Sequence, residues 1–265
     1  MKFLKLGSLV LGMLWVTLAM VGLAPGVSWG APGTGLLGTD HDFTQGEASE
    51  MNTQTVGLCT FCHTPHKALN TLLLWNHTLS TNTFTWDVPA TTAGTQFATF
   101  KGDTYKGPTA KCLSCHDGSV AIGDVAWFNA AARTGANALN PMTHGEGDKH
   151  NVGFGGSMAG NHPVAMPFPL QNAKNTYNGV TTGDSIILGE WEANPQTNGI
   201  RLFNDDGTGT ITAGANGGKT GIECSSCHDP HNGVNIVKDD YFLRGTLTGN
   251  AGGSGGYICL LCHKK

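Results

Sequence analysis

Every cysteine in this chain stands in the same five-residue string, Cys-x-x-Cys-His. The copies are Cys59-Thr60-Phe61-Cys62-His63, Cys112-Leu113-Ser114-Cys115-His116, Cys224-Ser225-Ser226-Cys227-His228 and Cys259-Leu260-Leu261-Cys262-His263. No thiol is left over, so the cysteines act in pairs, each pair followed by a histidine. At this spacing two sulfurs can add across the vinyl groups of a haem as thioethers, and the next imidazole can take an axial position on the iron. Zinc ribbons and disulfides also use paired cysteines. Histidine is 11 of 265 residues, and its falling after all the pairs by chance has odds on the order of a few in a million. The reading is therefore four covalently bound haem c groups. The thioether donors are Cys59, Cys62, Cys112, Cys115, Cys224, Cys227, Cys259 and Cys262, and the proximal iron ligands are His63, His116, His228 and His263. We number these sites 1 to 4 in chain order.

The N-terminus fits that chemistry. Lys2 and Lys5 precede an apolar run from Leu6 to Ala24, and Ser28-Trp29-Gly30 offers a small-x-small cleavage site before Ala31. This predicts a signal peptide over 1–30 and a tetrahaem cytochrome c domain over 31–265. The rival is an uncleaved anchor, because roughly 18 apolar residues just span a bilayer. Haem is attached covalently outside the bacterial cytoplasmic membrane, so an exported protein is expected, extracellular or, as second choice, periplasmic. No later apolar run is long enough to cross a membrane. Lys and Arg number 15 against 19 Asp and Glu, and two of the lysines fall in the leader. Haem propionates add further negative charge, which argues against nucleic acid or an anionic membrane as the main partner.

Glycine accounts for 39 residues and charged side chains for only 13%, and few stretches sustain a helical or alternating apolar period. Side chains alone would struggle to offset the entropy of ordering such a chain. The predicted fold class is a multihaem cytochrome c, mostly coil with short helices, in which the haems form the core. Gly-Gly pairs at 155–156, 217–218, 252–253 and 255–256 are read as sites of close backbone passage. The long interval between sites 2 and 3 holds Ser185-Ile186-Ile187-Leu188 and Ile200-Arg201-Leu202-Phe203, ahead of the turn residues Asn204-Asp205-Asp206-Gly207, so a small strand pair is expected there. The string from Asp205 to Thr210 lacks the spaced acidic ligands and closing Glu of a calcium loop and reads as a plain turn.

Each iron needs a sixth ligand or keeps an open position, and that choice separates a wire from a catalyst. Beyond the proximal ligands stand His41, His66, His77, His144, His150, His162 and His231. His66 and His231 each lie three residues after a proximal histidine, too close to reach the opposite face of the same haem, so each must serve a different one. His162 precedes Pro163, and His77 follows Trp75 and Asn76. His41 stands between Asp40 and Asp42, whose carboxylates are expected to orient its second ring nitrogen. His144 and His150 sit in a Gly-rich polar run and read as solvent-facing. Met142, Met158 and Met166 are the competing sulfur ligands. The distal candidates are thus His66, His231, His162, His77 and His41, one more than four irons need.

These residues resemble the tetrahaem cytochromes with doubled Cys-x-x-Cys-His motifs of metal-reducing and other anaerobic microbes, most closely the extracellular filament-forming members, the cytochrome nanowires. The resemblance rests on Asp40-His41-Asp42-Phe43, Cys59 to His66 with Leu74-Trp75-Asn76-His77, Cys112 to Gly118, Asn161-His162-Pro163-Val164, Cys224 to His231, Phe242-Leu243-Arg244 and Cys259 to His263. It implies bis-histidine ligation throughout, haems stacked in alternating parallel and perpendicular pairs, and little regular secondary structure. In filament formers it implies a histidine given across the subunit boundary. The matching donor here is His66, reaching the last haem of a neighbouring copy, and the partner is then the chain itself, head to tail.

The expected function is electron transfer to extracellular acceptors or other redox proteins, with no catalysis of its own. The sequence offers no nucleophile with a base, no dinucleotide-type loop and no separate metal motif. A soluble periplasmic shuttle or a membrane-anchored subunit is one alternative. A reductase of small oxyanions with one open haem is another, for which the scattered Arg133, Arg201 and Arg244 offer little sign of a basic pocket.

Overall fold

The computed structural model describes residues 35–44, 57–68, 72–86, 97–128, 131–139, 143, 145–148, 150–184, 186–233, 241–253 and 256–264. The expected signal peptide, Met142 and His144 lie outside them. Most of the described chain is coil and turn, punctuated by short helices and small antiparallel sheets. No helix among the described residues is long and apolar enough to cross a membrane.

The strands are β1 (Thr83–Phe84), β2 (Phe100–Lys101), β3 (Val125–Phe128), β4 (Ala131–Arg133), β5 (Met166–Pro167), β6 (Thr176–Tyr177), β7 (Val180–Thr181), β8 (Phe203–Asp205), β9 (Ile211–Ala213) and β10 (Thr220–Ile222). β1 with β2, β3 with β4 and β6 with β7 form two-stranded ribbons, and β5-β10-β8-β9 form a four-stranded sheet. β10 runs directly into site 3.

The expected strand pair takes a different form. Residues 186–187 are coil and Leu188–Glu190 is a 3₁₀ turn, while β8 pairs with β9, Asp205 opposite Ile211. The reason lies in Asp206, whose Oδ1 accepts the N–H groups of Thr208 (2.7 Å) and Thr210 (3.1 Å). That closes a tight loop after β8, so the nearest strand partner is the chain immediately beyond. With its oxygen taken by internal donors, this loop is a turn.

Helix α1 (Pro108–His116) contains the whole of site 2. Pro108 opens it, where the missing N–H costs nothing and φ is already helical, and Leu113 is buried against the core. Asp117 follows, its carboxylate accepting the Ser119 N–H (2.9 Å), the Asn82 side-chain amide (2.9 Å) and the Ser80 hydroxyl. This ties the helix end to the chain entering β1. Helix α2 (Cys224–Cys227) is one turn at site 3.

Among the described residues, buried apolar side chains form three clusters. The first gathers Phe84, Trp86, Phe100, Tyr105, Leu113, Met158, Tyr177 and Phe203. The second joins Phe61 to Ile122 and Val125, with Phe43 and Cys62 packed on it. The third joins Leu261 to Phe168, Leu170, Ile200 and Leu202, with Trp191 and Cys262 at its edge. Each cluster takes in a residue lying between the cysteines of one motif: Leu113, Phe61 or Leu261. Met158 and Met166 are core residues here, 1% and 5% exposed. Close backbone passage at glycine does occur, at Gly156 (φ +91°), where any Cβ would collide with the Thr83 carbonyl.

Candidate functional site

Sites 1, 3 and 4 share one local architecture. In each, the histidine N–H returns to the carbonyl of the first cysteine, and a separate strap of chain runs antiparallel past the histidine. At site 1 the strap is 73–76: Thr64 N–H donates to the Leu74 carbonyl (2.9 Å) and Asn76 N–H to the Cys62 carbonyl (2.9 Å). At site 3 it is 241–244, with Asp229 N–H on Phe242 (2.7 Å) and Arg244 N–H on Cys227 (2.8 Å). At site 4 it comes from upstream, with Lys264 N–H on Glu190 (2.7 Å) and Glu192 N–H on Cys262 (2.8 Å). Sites 1 and 3 match further. Leu74 and Phe242 both have positive φ (52° and 57°), as do Lys67 and Asn232, one residue beyond His66 and His231 (58° and 50°). The Cys-x-x-Cys-His-x-Pro-His unit and its strap therefore occur twice as structure, although the motif intervals show no repeat period.

The straps orient the imidazoles. Nδ1 of His63 donates to the Leu73 carbonyl (2.6 Å) and Nδ1 of His228 to the Tyr241 carbonyl (2.7 Å). At site 2 the carbonyl of His150 does the same for His116 (2.6 Å). Three distal candidates are held likewise: His41 by Pro230 (3.2 Å), His162 by Pro163 (2.9 Å) and His77 by Thr78 (2.9 Å). A proton committed at Nδ1 leaves Nε2 as the lone-pair nitrogen, the tautomer a metal requires, in all of these rings except His77, whose Nε2 also meets carbonyl oxygens.

Three proximal histidines have a distal candidate opposite them. Ring centroids are 6.1 Å apart for His41 and His116, 6.1 Å for His63 and His231, and 6.5 Å for His162 and His263. Metal–imidazole bonds of about 2.0–2.1 Å, plus the span from nitrogen to centroid on each ring, put two trans imidazoles about 6 to 6.5 Å apart. The spacings thus suit one iron between each pair.

The remaining candidates behave differently. His66 is exposed, and neither it nor His228 makes a ring contact among the described residues. His263 faces His162 of its own chain, and His228 is the proximal histidine without a ring opposite it among the described residues. His77 is buried, with Nε2 at 3.0 Å and 3.2 Å from the carbonyls of Ala121 and Ile122. Burial disfavours its charge, but Cys115 and the carbonyls at Thr78 and Ala121 outweigh that and push its pKa up to about 9. It faces no proximal ring.

Two sequence expectations change here. Asp40 and Asp42 do not orient the second nitrogen of His41, which belongs to Pro230. Asp42 is instead engaged by the N–H groups of Gly38 (2.7 Å) and Thr44 (3.0 Å) within its own turn. His150, read as solvent-facing, is half-buried, and it acts through its backbone carbonyl on His116 while its Nδ1 meets Asp148 (2.9 Å). The supporting carbonyls of Leu73, Tyr241, His150 and Pro230 were invisible in the sequence, since any residue supplies a carbonyl.

The four sites follow one another in space. Cys62 interacts with Cys115, Cys112 with Cys224, and Cys227 with both Cys259 and Cys262. All eight thiols are unpaired. Burial, with neighbouring thiols, pushes Cys62 and Cys262 up to about 12 and Cys227 up to about 11, the reverse of what a nucleophilic cysteine needs. Among the described residues, no three of His, Cys, Asp and Glu gather into a cage for a bare ion. Two buried polar atoms have no protein partner beside the motifs, Trp75 Nε1 at site 1 and Ser225 Oγ at site 3. A group bearing carboxylates satisfies such donors. Facing imidazoles, paired thiols and orphaned donors together fit haem.

No family model matches the chain, and no curated protein matches it.

Proposed function

We propose that the chain is an exported c-type cytochrome that binds four haems and conducts electrons without transforming a substrate. The observation that carries this reading is the pairing of His116, His63 and His263 with His41, His231 and His162 at the separation of two trans imidazoles. When bound, haem supplies a one-electron couple. The chain does the rest: thiols of each motif tether the group, carbonyl-locked imidazoles present Nε2, and the contiguous order of the sites brings neighbouring centres together. Intact mass of the exported protein, with electron paramagnetic resonance of the oxidised form, tests it. Four added haems with predominantly low-spin signals are expected. Colourless protein lacking that mass ends the reading.

His228 and His66 are the exposed histidines left over. In the head-to-tail reading, His66 of one copy completes the site of His228 in the next. Such a heterologous contact does not close and gives an extracellular filament. Cryo-electron microscopy of the secreted protein showing only discrete monomers would remove the filament. The same unmatched His228 is what favours the second reading, a site with an open coordination position acting on a small oxyanion. Carbon monoxide binding to the reduced, assembled protein would favour that alternative over the wire.

A further inference from the structure

Glu223 has 0% exposure and stands immediately before the first cysteine of site 3. Its carboxyl is the meeting point of the two attachment helices. Oε2 accepts the Thr109 N–H (3.0 Å) in the first turn of α1, and Oε1 accepts the hydroxyls of Tyr177 (2.5 Å) and Tyr105. The same side chain caps α2, and Ser226 Oγ returns the favour by accepting the Glu223 N–H (2.9 Å). Thr109 Oγ1 accepts the Cys224 N–H (3.1 Å), and the thiols of Cys112 and Cys224 lie close enough to influence one another. One carboxyl thereby holds the starts of sites 2 and 3 together.

Thr109 N–H donates to Oε2 and the hydroxyls of Tyr105 and Tyr177 are placed to donate to Oε1, a donor set that suits a carboxylate. Donors converging on an anion make hydrogen bonds roughly twice as strong as neutral ones. Burial raises the pKa of Glu223 above the ordinary carboxylate value, and the donors at Thr109, Tyr105 and Tyr177 offset only part of that rise. Lys111, 5% exposed and adjoining Cys112, lies within electrostatic reach. The field of Glu223 acts on Cys112 and Cys224, whereas other groups act on Cys62 and Cys262. A buried anion favours the oxidised, more positive state of a nearby redox centre, because the low interior dielectric preserves the interaction.

We propose that Glu223 is a positioning residue and fixed negative charge shared by sites 2 and 3, which docks their helices and selectively lowers the reduction potentials of those two centres. This rests on the haem reading above. The test is spectroelectrochemical titration of the four-haem protein, with Glu223→Gln compared to wild type after haem content is verified by mass. Two of the four midpoint potentials should move upward while the other two stay, and Glu223→Asp, which keeps the charge, should return them towards wild type. Lys111→Met, which removes a neighbouring cation, should move the same two downward. A four-haem Glu223→Gln protein whose potentials all match wild type, or all move equally, overturns the proposal. If Glu223→Gln fails to load haem, Tyr177→Phe decides: loss of a donor leaves the carboxylate less compensated, so two lowered potentials support the proposal and an unchanged set overturns it. A wild-type chain exported without haem would instead remove the reading beneath it.

Discussion

Asp42 offers nothing to a metal, yet the place of His41 depends on it. Burial pushes its carboxyl up, but the Gly38 and Thr44 N–H groups and the Thr44 hydroxyl outweigh this and hold its pKa below the ordinary 3.8. Because the folded value is the lower one, its contribution is complete above 3.8 and is lost as pH falls through the depressed value. Acid titration of the loaded protein should therefore release His41 below 3.8, seen as conversion of one low-spin centre to high spin. Asp42→Asn should bring that release to higher pH. His231→Gly should give one high-spin centre more than wild type at neutral pH, because His63 loses the ring opposite it. Wild-type spectra for this variant would dissociate His231 from site 1. The sequence named His41 and His231, and their spacing required that His231 serve another site. Which site was unreadable, because His41 and the Pro230 carbonyl that holds it lie 189 residues apart.

The straps carry backbone strain that their hydrogen bonds must offset. Leu74 and Phe242 occupy the left-handed region, which costs a non-glycine residue about 1–2 kcal/mol, and each strap returns two backbone bonds and one to an imidazole, about 1 kcal/mol apiece. Phe242 also stacks on His41, centroids 4.7 Å apart, so a strap of site 3 buttresses site 2. Strand β10 bears a comparable constraint. Gly221 lies under the Tyr177 ring, and a methyl there would collide with that ring and with the Met166 carbonyl. Gly221→Ala should cost about 1–3 kcal/mol by overpacking, read as a lower melting temperature of the loaded protein.

Among the described residues, three modest apolar clusters stand where a chain of this length would ordinarily build one contiguous core. Each is attached to a motif, so haem would join them rather than replace them. If His66 completes site 3 of the next copy, dilute loaded monomers should show one high-spin centre in four, and that signal should vanish as filaments grow. His66→Gly should keep it and abolish growth. Low-spin spectra throughout in dilute wild-type monomers would place the missing ligand within the chain.

Spacing alone carries the expectation of haem attachment. Thioether attachment needs two sulfurs three positions apart and an adjacent imidazole, a local covalent requirement that any fold must respect. Coil content was also readable, because glycine and the lack of apolar period leave little else. The partners of His63, His116 and His263, the doubled strap of sites 1 and 3, and the carboxylate between two attachment helices emerged only when distant segments were brought together. Those arrangements rest on backbone carbonyls and buried donors, which every residue type supplies and no motif records.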